Sequence, residues 1–339
     1  MTKFAVNEFP LFNNFTPVNR VLQQILEINN VVKEIDFLRR ELNAVILSHN
    51  YQIQEIQEIA DFTGDSLELS RFASKTSADI VVFCGVRFMA ETASIINPDK
   101  KILIPDKEAG CSLSDTITVD QLRKWKEMHP SAVVVSYVNT SAEVKAESDY
   151  CCTSSNLLKV IDAIPKDQDI LFLPDMFLGA YAETITQRMM KVWPGECHVH
   201  AAIRPEDISA IKSKHPKAEL LIHPECGCVS QCIYYSSSGD IDSADISILS
   251  TGGMLDRAKN SNAKEFLVAT EIGMIPRMAK DNPGKKFYPV REDAICKYMK
   301  MISLDKVCRS LRYLQYEVKV DEDIAKKAKI PIERMLKIT

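Results

Sequence analysis

The sequence predicts an α/β protein of three repeated modules, each a parallel sheet with helices on both faces. Two observations carry this expectation. Short apolar runs alternate with helical patterns along nearly the whole chain, as in parallel strands joined by crossover helices. One strand-end design also occurs three times at near-even spacing: Ala44-Val-Ile-Leu-Ser-His49-Asn-Tyr51, Ala132-Val-Val-Val-Ser-Tyr137-Val-Asn139 and Ala218-Glu-Leu-Leu-Ile-His223-Pro-Glu225. That period is the size of a domain and longer than any solenoid repeat. Each copy brings polar groups to the carboxyl end of a buried strand, where open α/β sheets bind ligands. Three such edges imply one shared pocket.

The elements follow in order. Residues 1–20 read as irregular, and Val18–Leu42 as a helix because Val21, Ile25, Ile28, Val32 and Ile35 fall at helical spacing. In the first module, strand 44–47 leads to the His49-Asn-Tyr51 corner, a helix near 54–61 and a break at Thr63-Gly64. Asp65-Ser66 then stands ready to cap a helix over 67–75. Strand 80–83 ends at Cys84-Gly85 before a helix over 88–96, and strand 101–104 ends in Pro105-Asp106, with Cys111 just beyond. A helix over 119–128 leads into the second module, whose strands are 132–136, 150–152 and 170–173, the last ending in Pro174-Asp175. Strands 220–222, 246–249 and 266–269 form the third module, with an inserted loop over 229–240. Two more helical stretches, containing Pro331, are expected to pack on the body. The resulting divisions are 1–116, 117–201, 202–299 and a tail at 300–339.

The internal match extends past the corners. Asp79, Asp149 and Asp245 each stand five residues before a strand-end group, Cys84, Ser154 and Ser250. Pro105-Asp106, Pro174-Asp175 and Thr270-Glu271 align in the same way.

Bulk properties exclude several functions. The 339 residues, 46% hydrophobic and 26% charged, suit a globular chain of two or three domains. A net charge of −4 without a basic tract argues against nucleic-acid binding. No apolar run approaches the roughly 20 residues of a membrane span, and the polar start lacks signal-peptide features, so a cytoplasmic protein with no membrane partner is expected. In that reducing compartment the ten cysteines are core residues, reactive thiols or metal ligands, not a disulfide framework.

Converging corners would place His49, Tyr51, Tyr137, Asn139, His223 and Glu225 in one pocket. Ser66, Ser154 and Ser250-Thr251 would join them at helix starts, where backbone N–H groups favour anions. Such a set suits small anionic substrates and proton transfer, with His and Glu as acid–base groups and Tyr donating a proton or steadying an enolate. Singly, each residue reads more simply, the histidines as hydrogen-bonded structural groups, the tyrosines as packing and the serines as caps. Their recurrence at matching positions is what points to a site.

The cysteines are less decisive. No CxxC pair is present, which sets a zinc ribbon aside. Cys226, Cys228 and Cys232 form the densest cluster and fit a metal clip, a redox pair or neither. Cys111, Cys197 and Cys296 lie one near the end of each module and, meeting at an axis, could hold an iron–sulfur cluster with one open iron. Spacing alone does not choose.

The motifs do choose. Ser48-His-Asn-Tyr-Gln52, Gly64-Asp-Ser-Leu67, Glu108-Ala-Gly-Cys-Ser-Leu113, Trp193-Pro-Gly-Glu-Cys-His-Val-His200, His223-Pro-Glu-Cys226 and Ala269-Thr-Glu-Ile-Gly273 together resemble the quinolinate synthase (NadA) family from about residue 40 onward. The resemblance implies three αβα-sandwich modules around a pseudo-threefold axis. It also implies a [4Fe–4S] cluster on Cys111, Cys197 and Cys296, with the fourth iron open to substrate as a Lewis acid. The implied reaction, in de novo NAD biosynthesis, condenses iminoaspartate with dihydroxyacetone phosphate to quinolinate, phosphate and two waters. An aspartate-oxidising enzyme is the implied supplier of iminoaspartate.

The roles implied are anion binding by His49, Ser66, Ser154, Ser250 and Thr251, and proton transfer by Tyr51 and Glu225. Tyr137, Asn139 and His223 would position the intermediate. One mismatch stands out, because Cys111 closely follows its Pro-Asp whereas Cys197 lies far beyond Asp175, so the three cysteines do not occupy equivalent repeat positions. A competing reading is a thiol-rich α/β protein that binds zinc or senses redox state through Cys226, Cys228 and Cys232.

Overall fold

Each repeat folds into a four-stranded parallel sheet. The first contains β1 (Ala44–His49), β2 (Phe62–Gly64), β3 (Ile80–Cys84) and β4 (Lys101–Leu103). The second contains β5 (Val133–Tyr137), β6 (Tyr150–Cys152), β7 (Ile170–Leu173) and β8 (Lys191–Val192), and the third β9 (Glu219–Ile222), β10 (Ile246–Ile248), β11 (Glu265–Ala269) and β12 (Lys286–Pro289). Spatial order is the same in all three: β2-β1-β3-β4, β6-β5-β7-β8 and β10-β9-β11-β12. The computed structural model describes residues 17–238 and 245–338. The expected irregular start over 1–16 and the end of the inserted segment, 239–244, lie outside the described residues.

The inner strands β1, β3, β5, β7, β9 and β11 are near-continuous apolar runs because helices cover both faces of each sheet. Phe83 on β3, Phe172 on β7 and Phe266 on β11 are fully buried, each stabilising the fold by about 1.5–3 kcal/mol relative to exposure. The long helix Pro17–Glu41 packs on Leu304–Tyr313, and the last helix, Glu322–Lys337, packs on Ala142–Ala146 and β6. Asn156 Nδ2 ties that last helix down by donating to Met335 O at 2.9 Å and Ile338 O at 3.1 Å.

Strand pairing corrects the internal alignment. The sequence reading missed β2, β8 and β12, edge strands of two to four residues that are too short to show periodicity. With β2 restored, the counterpart of Asp149 is Asp61, not Asp79. Asp61 Oδ2 accepts from Ile46 N at 2.8 Å, and Asp149 Oδ2 accepts from Val134 N at 2.8 Å. Ser66, not Cys84, therefore corresponds to Ser154 and Ser250. Ser48 pairs with Cys84, Ser136 with Leu173 and Ile222 with Ala269. Val86, Asp175 and Glu271 are thus equivalent, and Pro105-Asp106 drops out of the match. The mismatch among the cysteines disappears as well, because Cys111, Cys197 and Cys296 follow β4, β8 and β12, the corresponding edge strands.

The inserted segment also differs from expectation. It begins as a helix, Val229–Ser238, and not as a loop. Cys228, Val229 and Cys232 fall on one helical face and are buried in a core cluster with Ile203, Ile222 and Cys226.

Candidate active site

The carboxyl ends of the three sheets meet at one cavity, part of it open to solvent. His49, Tyr51 and Ser66 reach it from the first module, Tyr137, Asn139 and Ser154 from the second, and His223, Glu225 and Thr251 from the third. Cys111, Cys197 and Cys296 line the same cavity. Ser250 does not belong to the lining. Its Oγ accepts from Gly253 N at 3.2 Å and so caps the helix Thr251–Asn260, a duty that turns the hydroxyl towards its own helix. Ser66 escapes that duty because Asp65 caps Ser66–Lys75, accepting from Leu67 N and Glu68 N.

Local backbone geometry sets the donors. Tyr51 N donates to His49 Nδ1 at 3.1 Å, which fixes the first corner. Tyr51 Oη lies 2.6 Å from Thr270 Oγ1 and 3.3 Å from His200 Nε2. The Tyr137 hydroxyl donates to Glu225 Oε1 across the boundary between the second and third modules. The His200 and His223 rings stack with centroids 4.7 Å apart. Asn139 Oδ1 and His223 Nδ1 are buried and unpaired. Buried polar atoms are nearly always satisfied, so two orphans on the cavity wall mark places for ligand groups.

Burial dominates the electrostatics. It drives His49 down to about 3, helped by Lys300 and His200, and drives His200 to about 3 and His223 well below the usual imidazole range. Burial, then repulsion from Asp175, holds the Glu225 carboxyl well above the usual carboxylate range. Burial and Glu225 likewise raise the Tyr51 and Tyr137 phenols. His49 and His200 are therefore neutral near pH 7, and burial favours the uncharged forms of His223, Glu225 and both tyrosines, which suits Glu225 to give a proton.

A stability prediction follows for His49. Its folded pKa is depressed, so the unfolded chain binds the extra proton at pH values between 6.5 and about 3. Stability contributed by the neutral ring is complete above 6.5 and is lost as pH falls through that window. Melting temperature against pH should fall on acidification, and less steeply in His49→Gln. Equal slopes would rule out His49 as a contributor.

The three cavity cysteines share a local device. Backbone amides work against burial at each: those of Leu113 and Ser114 lower the Cys111 thiol, those of Val199 and His200 lower Cys197, and those of Tyr298 and Met299 lower Cys296. In each loop the amides two and three residues ahead favour the thiolate, the kind of influence that tunes iron–sulfur sites. Burial nevertheless pushes Cys111 up to about 12 and raises the other two, so a bound cation is needed to draw the protons off. This donor set, one thiol per module with paired amides, fits a cluster held by three cysteines. Cys84, Cys151 and Cys152 are raised by burial without such amides. Cys226 Sγ donates to Ala269 O at 3.1 Å, the behaviour of a protonated thiol.

Comparison with known proteins assigns the family. The family model described as Quinolinate synthetase A protein, NadA, matches residues 33–337. The chain belongs to the NadA family. It is 51% identical over 308 residues to the quinolinate synthase of Thermus thermophilus, covering 91% of this chain and 97% of that one. It is 54% identical over 303 residues to the quinolinate synthase of Pyrobaculum aerophilum, covering 89% and 98%. For the quinolinate synthase of Mycobacterium tuberculosis the figure is 49% over 306 residues, covering 90% and 88%.

Two residues of this NadA-family site went unassigned in the sequence. His200, with Cys197 and Glu225, offers ligand atoms that all lie within 4.8 Å of one another. Its signal was the Cys197-His-Val-His200 spacing, which puts Cys197 and His200 on one face of a helical turn. Thr270 holds Tyr51, and its only signal was its place at the end of β11. Among the described residues no helix is long and apolar enough to cross a membrane.

Proposed function

We propose that this chain is a quinolinate synthase that condenses iminoaspartate with dihydroxyacetone phosphate, releasing phosphate and two waters, in NAD biosynthesis. The observation that carries the reading is the convergence of one cysteine from each module on a cavity that also holds the Tyr137–Glu225 pair. Cys111, Cys197 and Cys296 would hold a [4Fe–4S] cluster, which when bound supplies Lewis-acid chemistry at the iron without a cysteine. The substrates are anionic, and among the described residues the lining contains no Lys or Arg. Carboxylate and phosphate groups are therefore bound by neutral donors: Ser66, Ser154, Thr251, His49 and the N–H groups of the helix starts. Tyr51 and Glu225 exchange protons during isomerisation and ring closure, while Tyr137, Asn139 and His223 orient the condensing chain. The compartment is the cytoplasm, where free thiols persist, and iminoaspartate arrives from an aspartate-oxidising enzyme.

Anaerobically purified protein should be brown, with about four irons and four sulfides per chain, and should form quinolinate from the two substrates. A colourless protein that keeps zinc would instead support the reading built on Cys226, Cys228 and Cys232. Ser66→Ala and Ser154→Ala should each raise KM for dihydroxyacetone phosphate or iminoaspartate about tenfold, the loss of one hydrogen bond to a charged group. Unchanged KM values for both substrates would remove these serines from the binding set.

A further inference from the structure

Glu271 takes no part in the proton transfers above, yet it is fully buried at the cavity edge. Its Oε1 accepts from Cys296 N at 3.0 Å and its Oε2 from Gly273 N at 2.6 Å. The Lys300 ammonium stands 2.9 Å from Oε1 and 3.1 Å from Oε2, and it also donates to Tyr51 O. Lys300 N in turn donates to Cys296 O at 3.1 Å, so the Cys296 residue is held at both its N–H and its carbonyl. Next to Glu271, Thr270 Oγ1 lies 2.6 Å from the Tyr51 hydroxyl. Gly273 completes the arrangement, because a Cβ there would come within 2.7 Å of Glu271 Oε2, 2.7 Å of Tyr51 O and 2.8 Å of Lys300 Nζ. Only glycine lets the carboxylate, the ammonium and the Tyr51 carbonyl close on one point.

We infer that Glu271 and Lys300 are positioning residues that lock the Tyr51 corner of the first module to the Cys296 loop of the third. The pair sets the distance between the acid–base tyrosine and the third thiol. This inference rests on the proposed function for its catalytic consequence but not for its structural one. It differs from a plain ion pair in acting on one thiol and one tyrosine selectively.

Lys300→Met and, as a change without charge loss, Gly273→Ala test the idea. In cluster-free protein, iodoacetamide should alkylate Cys296 about tenfold faster in both variants, with Cys111 and Cys197 unchanged, matching the tenfold and larger effects seen when partners behind a metal ligand are removed. Cluster-loaded variants should lose kcat about tenfold with KM little changed, and the cluster's electron paramagnetic resonance signal should shift. Wild-type labelling, turnover and spectrum in both variants would overturn the inference, and so would faster labelling of all three thiols alike, which marks general loosening. If the wild-type protein makes no quinolinate, the functional reading fails while selective labelling of Cys296 still stands.

Discussion

Cys111→Ser, Cys197→Ser and Cys296→Ser are each expected to abolish iron binding and quinolinate formation, whereas Cys226→Ser and Cys228→Ser leave both intact. Removing even a partner behind a metal ligand typically costs about 10–100-fold, so loss of a ligand itself should exceed that. The three cavity thiols face one another closely enough that Cys111 raises Cys197 and Cys296 raises Cys111. A serine hydroxyl is a far poorer ligand for a thiophilic metal than the thiolate it replaces. Cys226 is different, being buried with its sulfur donating to a carbonyl, a bond that serine reproduces. Iron and sulfide content after anaerobic purification, with the visible absorbance, reads the result. If Cys228→Ser bleached the protein and Cys296→Ser did not, the ligand assignment would be wrong.

Much of this was legible in the chain because buried parallel strands are long apolar runs that end in polar corners. His49, Tyr51, Tyr137, Asn139, His223 and Glu225 stand at those corners, and the cavity brings them together. What escaped were edge strands such as Lys191–Val192, two half-buried residues with no period to read. Missing them shifted the alignment, paired Asp79 with Asp149 in place of Asp61, and hid the equivalence of the three cysteine loops. Ser250 was misplaced for a different reason. A serine at a helix start can cap or can face a ligand, and only the neighbour decides. Asp65 relieves Ser66 of the cap, while nothing relieves Ser250. Serines crowd the second half of Val229–Ser238 and give it the composition of a loop, although Cys228, Val229 and Cys232 share one helical face.

Tyr137→Phe and Glu225→Gln should each lower kcat by about 10²–10⁴, the usual worth of a positioned acid–base group, with KM changed far less. The two residues come from different modules and share one buried hydrogen bond. Burial makes the charged carboxylate costly and holds the Glu225 carboxyl well above the usual carboxylate range, and the Tyr137 hydroxyl, donating to Oε1, orients that carboxyl. Phenylalanine keeps the ring and removes that orientation, while glutamine keeps the shape and removes the transferable proton. Tyr137→Phe leaves the buried Glu225 Oε1 without its donor, so its melting temperature should fall modestly, by the equivalent of about 1–3 kcal/mol. Because one group orients the other, their contributions belong to a unit, and units are not additive. The double variant Tyr137→Phe/Glu225→Gln should therefore lose no more activity than the worse single variant. Single-turnover rates on cluster-loaded protein would show this directly. Losses that multiply would mean that the tyrosine and the glutamate act at separate steps, and that the bond between them is packing and not mechanism.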